Sequence, residues 1–103
     1  MKFMIHFVVT EEQGIKIEAA PGGPGPLMGY IQERFKPEAM YLSPAKRQGF
    51  VIATLDEAKM AEAMIFFSSR CGVYPTFTPV VAFEDFGKVA GPAIDQLAKA
   101  PKV

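Results

Sequence analysis

The opening residues constrain the fold most, because positions 2–10 alternate with a period of two in residues that favour β-strands. The predicted strand carries two sets of side chains, one on each face: Phe3, Ile5, Phe7 and Val9, then Met4, His6, Val8 and Thr10. Both sets are largely apolar, whereas an antiparallel sheet with one face in water should alternate apolar and polar residues. We therefore expect both faces of this strand to be covered.

The rest of the chain divides into segments with the spacing of helices and strands. We predict helices over residues 26–35 and 57–71, and strands over residues 39–43, 50–55 and 74–83. Asp56 is a suitable N-cap for the second helix, and Gly72 fits the position just past its end. Residues 11–25 show no helical period, and residues 84–100 predict a helix in two pieces, broken at Gly91-Pro92.

This order of elements, β-α-β-β-α-β with a C-terminal helix, predicts an α+β fold of the ferredoxin-like type. Such a fold has a four-stranded antiparallel sheet with two helices on one face. No repeat or boundary divides the chain, so we expect one domain over residues 1–103. Two helices cover only one face of the sheet, and the last strand, with Val80 next to Val81, is also apolar on both faces. We expect a homodimer in which two such sheets pack face to face.

The composition excludes several kinds of partner and site. Lys and Arg number 11, as do Asp and Glu, so the net charge is zero and no basic stripe favours nucleic acid. No apolar run reaches the roughly 18 residues of a membrane span, and no signal-peptide cleavage site follows the first strand, so we expect a cytoplasmic protein. With one cysteine, Cys71, and one histidine, His6, a disulfide or a multi-histidine metal site within one chain is excluded, and we expect no cofactor.

Three stretches carry a resemblance to a known superfamily: MKFMIHFVV, GFVIATLDEAKMAEAM and YPTFTPVVAFEDFGKV. Their pattern of strands and helix resembles the dimeric α/β-barrel superfamily, and within it a family of short bacterial proteins described only as a domain of unknown function. The resemblance covers about residues 1–10 and 39–90 and implies a dimeric α/β barrel. Relatives include cofactor-free monooxygenases, polyketide cyclases, muconolactone isomerases, haem proteins and small stress proteins, and most hold a small apolar ligand between helices and sheet or inside the barrel. Fold analogy does not choose among these functions.

The segment from Glu11 to Pro26 departs from that pattern, because it is long and rich in proline and glycine. Within it, Gly14 to Glu18 could extend a hairpin. The stretch APGGPGPLMG, at residues 20–29, lacks the Lys-Ser/Thr that ends a P-loop, and its prolines remove N–H donors that a phosphate site needs. Two interpretations stay open, a surface loop that leads into a helix and a connection over the mouth of a cavity.

His6 and Tyr74 are the candidate catalytic residues. An imidazole can act as a general base near neutral pH, and a tyrosine hydroxyl can orient a bound molecule. The alternative for His6 is a side chain satisfied by hydrogen bonds within the sheet or the dimer interface. The alternative for Tyr74 is a side chain that serves packing, with its hydroxyl at the rim.

Four further residues are candidate ligand-binding groups: Tyr41, Thr76, Thr78 and Arg34. The period of two places both threonines on one strand face with Tyr74, where they could form a polar patch in an apolar cavity. Arg34, at the end of the first predicted helix, could bind a substrate carboxylate. It is also the kind of charge that the C-terminus of a helix favours at the surface.

Two functions stay open. In the first, a dimeric barrel binds a small apolar or aromatic metabolite and isomerises, cyclises or oxidises it without a metal, with proton transfer by His6. In the second, the chain is a non-catalytic binding or assembly module that uses its second sheet face for association. A solvent-accessible cavity of roughly a few hundred Å³ that reaches His6 would favour the first function, and a filled interface would favour the second.

Overall fold

The computed structural model describes all 103 residues. Four strands form one sheet: β1 (Lys2–Val8), β2 (Ala39–Leu42), β3 (Gln48–Thr54) and β4 (Thr76–Pro79). Four α-helices accompany it, α1 (Glu11–Ala19), α2 (Gly25–Phe35), α3 (Glu57–Cys71) and α4 (Phe86–Leu97), with a short 3-10 helix (Phe83–Asp85) before α4. None of these helices is long and apolar enough to cross a membrane.

The strands lie in the order β2-β3-β1-β4, and every neighbouring pair is antiparallel. The predicted α+β class with a four-stranded antiparallel sheet is therefore confirmed. The strands differ in length from the prediction. β1 ends at Val8, two residues early, and β3 begins at Gln48, two residues early. β4 covers only four of the ten predicted residues and ends at Pro79, although the N–H of Val80 still donates to the carbonyl oxygen of Lys2 at 3.0 Å.

The core lies between the helices and one face of the sheet. Its 11 buried residues are Phe3, Ile5, Phe7, Val51, Ala53 and Leu55 from the sheet side, and Ile31, Phe35, Ala63, Phe67 and Cys71 from α2 and α3. The pair Ile5 and Val51, opposite each other on β1 and β3, is fully buried. The rings of Phe7 and Phe67 stack at 5.1 Å between centroids, which fixes α3 against the sheet.

The prediction of α3 is confirmed at both ends. The Asp56 carboxylate accepts a hydrogen bond from the backbone N–H of Lys59 at 2.8 Å, which caps the helix. Gly72 follows the last turn with φ of 87°, in the left-handed region that favours glycine. The prediction of a helix over residues 26–35 is also confirmed, since α2 begins only one residue earlier.

The expectation that residues 11–25 contain no helix is wrong, and so is the hairpin extension at residues 14–18. Helix α1 begins directly after Thr10, whose hydroxyl accepts a hydrogen bond from the N–H of Gln13 at 3.3 Å. Glu11 and Glu12 add negative charge where the helix dipole is positive. The N-terminal cap therefore starts a helix whose apolar stripe is weak.

The expected break at Gly91-Pro92 is also wrong, because α4 runs without interruption across Pro92. Proline removes one helical hydrogen bond, and in an exposed helix water can satisfy the carbonyl that loses its partner. No residue of α4 is buried. The molecule measures 58 × 29 × 27 Å with a radius of gyration of 17.3 Å, against about 13 Å for a compact chain of this length. Helix α4 therefore stands away from the body formed by the sheet and the other helices.

Candidate functional site

The sheet register brings three of the predicted site residues into one row. Tyr41 on β2 lies opposite Phe50 on β3, Phe50 lies opposite His6 on β1, and His6 lies opposite Thr76 on β4. Side chains directly opposite each other on neighbouring strands point to the same face. The row Tyr41–Phe50–His6–Thr76 therefore crosses the whole sheet on the face that the helices leave uncovered.

His6 makes two contacts within this face. Its Nε2 donates to Oε1 of Gln48 at 3.2 Å. Its ring stacks on Phe50 with 4.6 Å between centroids and 16° between planes. The side chain is half-buried, so one edge of the imidazole is held in the sheet while the surface above it stays open to a partner or a ligand.

We call this surface the open face; its central residues are Met4, His6, Val8, Gln48, Phe50 and Ile52. It continues onto the edge strands through Tyr41, Thr76 and Thr78. Tyr41 is 66% exposed and Val8 is 43% exposed. A sheet face this apolar is normally covered, and nothing in this chain covers it.

The remaining predicted site residues have different positions. Thr78 lies on the open face opposite Met4. Tyr74 precedes β4, makes no strand pair and is 78% exposed. Arg34 lies in the helix layer, where its Nε donates to the carboxylate of Glu62 on α3. That hydrogen bond and the opposite charges raise the pKa of Arg34 and lower the pKa of Glu62. Arg34 is therefore apart from the row and already engaged.

A cavity of about 220 Å³ lies between the helix layer and the sheet. We call it the α1–α2 cavity; its apolar walls are Phe7, Val9, Ile17, Leu27, Met28 and Leu42. Pro24, from the proline-glycine stretch, also borders it. The stretch forms a surface turn that leads directly into α2, as one interpretation expected, and its Pro24 also borders a cavity, as the other expected. His6 does not line the cavity, because it lies on the opposite face of the sheet from Phe7.

Polar side chains gather at the mouth of the α1–α2 cavity: Glu18, Ser43, Lys46 and Arg47. Nη2 of Arg47 donates to both carboxylate oxygens of Glu18, at 2.9 and 3.3 Å, and this contact raises the pKa of Arg47. Lys46 forms no ion pair. The mouth therefore carries one paired and one free cation above an apolar interior.

The position of Arg47 depends on a glycine of α1. A methyl group added at Gly14 would come within 2.4 Å of the Arg47 side chain. Since Gly14 is buried and has no side chain, the arginine stem can lie directly on the helix. Gly14 thus allows the turn before β3 to close against α1.

A smaller cavity of about 30 Å³ continues inward from the same apolar walls toward Phe67 and Cys71. Burial raises the pKa of the Cys71 thiol to about 11. A thiol held in the neutral form is a poor nucleophile. Cys71 therefore contributes an apolar surface to the smaller cavity rather than reactivity.

The sequence predicted His6, Thr76 and Thr78 as site residues of the sheet, placed Tyr74 with them wrongly, and missed the α1–α2 cavity. Two of its walls, Gly14 and Ile17, belong to a helix that was not expected. The signal was present in Thr10-Glu11-Glu12-Gln13, a capping-box pattern that marks the start of a helix.

The chain carries no group of three or more His, Cys, Asp or Glu side chains placed to hold a metal ion. No protein-family model, curated protein or solved structure matches the chain. The geometry of the α1–α2 cavity and of the open face therefore carries the functional proposal.

Proposed function

We propose that this protein is a homodimeric, ferredoxin-like α/β barrel that binds a small apolar or aromatic molecule in the α1–α2 cavity. The observation that carries the proposal is the cavity itself, with six apolar side chains inside and charged groups only at its mouth. Sites for small molecules commonly have apolar walls with a few polar groups that fix orientation.

The size of the cavity limits the ligand. An apolar protein cavity of about 150 Å³ accommodates benzene, and the α1–α2 cavity measures about 220 Å³. A single aromatic ring or a short aliphatic chain fits this space. The free Lys46 ammonium at the mouth favours a ligand with a polar or acidic end.

The fold and the homodimer are supported by the sheet. The strand order β2-β3-β1-β4, with α2 before β2 and α3 between β3 and β4, is that expected of a ferredoxin-like domain, and α1 is an additional helix between β1 and α2. The apolar open face supports a dimer in which two sheets face each other. The row Tyr41–Phe50–His6–Thr76 would then line the interior of the barrel.

The positions of His6 and of the α1–α2 cavity favour binding over catalysis by this histidine. A ligand in the cavity would be separated from His6 by the sheet. Catalysis by His6 and Tyr74 would need a second space between the two sheets of the dimer. The second candidate function, an assembly module without a small ligand, is favoured by the exposed apolar residues of the open face.

The test is a screen of melting temperature against aromatic acids, lactones and quinones. A ligand that binds only the native state raises the transition in proportion to its occupancy. We expect hits in the wild type and in His6→Ala, and loss of the hits in Leu27→Trp, because the indole fills the cavity. Circular dichroism checks that Leu27→Trp folds, and Met28→Trp provides an independent filled cavity.

Two other outcomes of the screen would contradict a ligand in the α1–α2 cavity. Hits lost in His6→Ala but kept in Leu27→Trp would place the ligand on the open face and revive catalysis by His6. An absence of hits in all variants, with a stable dimer, would support the assembly module.

A further inference from the structure

Helix α4 carries an apolar stripe, and none of its residues is buried in its own chain. The stripe consists of Phe86, Val89, Ala90, Ala93, Ile94 and Leu97, which share one face of a helix with 3.6 residues per turn. The opposite side carries Lys88 and Asp95. Phe86 is 59% exposed and Leu97 is 71% exposed. An amphipathic helix of this kind buries its apolar face when it is stably folded.

The stability of α4 must come from packing outside its own chain. The helix has 12 residues and none of them is buried. Isolated helices shorter than about 12–15 residues are marginal in water, and a proline at position 92 weakens this one further. A partner that covers the stripe would supply the missing stabilisation.

The accessible surface area of the chain is larger than that expected of a compact monomer, as it would be for one chain of a dimer. The chain exposes 7384 Å², whereas a compact monomer of 11.3 kDa is expected to expose about 5,700 Å². The excess of about 1,700 Å² exceeds the roughly 800 Å² that each partner buries in a standard interface. It is in the range of the area that each chain of an obligate homodimer buries, roughly 1,000–2,500 Å². Helix α4, which has no buried residue, and the exposed side chains of the open face both contribute to this surface.

We infer that α4 of each chain packs its stripe against a second copy of this chain, beside the open face. Two contacts of this kind, related by a two-fold axis, cover the apolar stripe of α4 in both copies. A membrane-surface helix would carry a basic polar side, whereas the polar side of α4 carries one lysine and one aspartate. The zero net charge of the chain likewise offers no charge complement to an acidic or basic partner.

The sheet order indicates where α4 contacts the second copy. β4 and β2 are the opposite edges of the sheet. When two such sheets face each other about a two-fold axis parallel to the strands, the β4 edge of one copy lies over the β2 edge of the other. On the open face, the β2 edge carries the exposed side chain of Tyr41. Only six residues separate the end of β4 from the start of α4, so α4 begins near the β4 edge that would face β2 of the second copy.

The inference rests on the proposed homodimer, and its test uses the full chain with two variants that change the net charge equally. Leu97→Lys adds a charge to the stripe, and a cation near a helix C-terminus does not disfavour the helix. Asp95→Asn changes the net charge by the same amount on the opposite side of α4. We expect sedimentation equilibrium to show at least a tenfold weaker dimer for Leu97→Lys and an unchanged dimer for Asp95→Asn.

An isotope-filtered NMR experiment on mixed labelled and unlabelled wild-type chains tests the contact directly. We expect NOEs from the Phe86, Val89 and Leu97 side chains to protons of the unlabelled copy. Overturning results are a Leu97→Lys dimer as tight as the wild type, or stripe NOEs only within one chain. A monomeric wild type would overturn the inference and the homodimer together. The ligand screen with Leu27→Trp tests the cavity separately from both.

Discussion

Arg47 and Glu18 join the turn before β3 to helix α1, with Nη2 of the arginine 2.9 Å from Oε2 of the glutamate. The pair lies across the mouth of the α1–α2 cavity. Both side chains are partly exposed, so the contact is a surface ion pair and contributes little to stability. Its expected role is to hold the cavity mouth in shape.

A double-mutant cycle on Arg47→Ala and Glu18→Ala tests that role. We expect a small coupling between the two substitutions in urea unfolding, which decreases as salt is added because the pair faces water. Lys46→Ala is the control, since that lysine has no carboxylate partner. A coupling that does not change with salt would contradict the assignment as an exposed ion pair.

The glycine in β3 is predicted to be required for packing. A methyl group at Gly49 would meet the carbonyl oxygen of Tyr41 at 2.6 Å and the Phe7 ring at 2.8 Å. Since one contact is backbone, the strand must move, and we expect Gly49→Ala to destabilise the fold by about 1–3 kcal/mol. Gly29→Ala on α2, where nothing lies within 4 Å, should stabilise by up to about 1 kcal/mol. Equal effects in chemical denaturation would contradict this packing.

The contact between Arg34 and Glu62 should make the protein less stable as the pH falls in the acidic range. The hydrogen bond from Arg34 lowers the pKa of Glu62 from 4.5. The folded state therefore favours the carboxylate, and the stabilisation is complete above pH 4.5 and is lost as the pH falls through the lowered pKa. We expect the difference in melting temperature between wild type and Glu62→Gln to shrink over that range. Glu33→Gln on α2, which removes an unpaired carboxylate, should show no such change.

Cys71 should make the protein less stable as the pH rises in the alkaline range, the opposite of the effect of Glu62. Burial raises its pKa from 9.0 to about 11, so the folded state favours the neutral thiol. That contribution is fully present below pH 9 and is lost as the pH rises toward 11. We therefore expect wild type to lose stability between these values relative to Cys71→Ala, measured by urea unfolding. Parallel pH profiles for the two proteins would show that the thiol does not titrate differently in the folded state.

The sequence predicted elements whose signals are local and strong. Helix α3 has an aspartate cap, a regular apolar spacing and a terminal glycine, and both of its ends were predicted correctly. Helix α1 was missed because its apolar spacing is weak and its start depends on one hydroxyl, that of Thr10. Helix α4 was expected in two pieces because Pro92 usually breaks a helix, and here it does not.

The candidate site was predicted only where it follows from strand alternation. The alternation in β4 grouped Tyr74, Thr76 and Thr78; the register places the two threonines on the face of His6, whereas Tyr74 lies outside the strand. The α1–α2 cavity depends on long-range placement of α1 against the turn that carries Arg47, and local spacing does not specify such a contact. Arg34 looked free in the sequence because its partner, Glu62, lies on a different helix.

The measurement that tests the central claim most directly is methyl NMR on the full chain with p-cresol as the probe. The proposed function predicts intermolecular NOEs from the ring of p-cresol to the methyl groups of Ile17, Leu27 and Met28, and their loss in Met28→Trp. NOEs to Met4 and Ile52 instead would place the probe on the open face. That result, or the absence of any methyl NOE at millimolar probe, would contradict binding in the α1–α2 cavity.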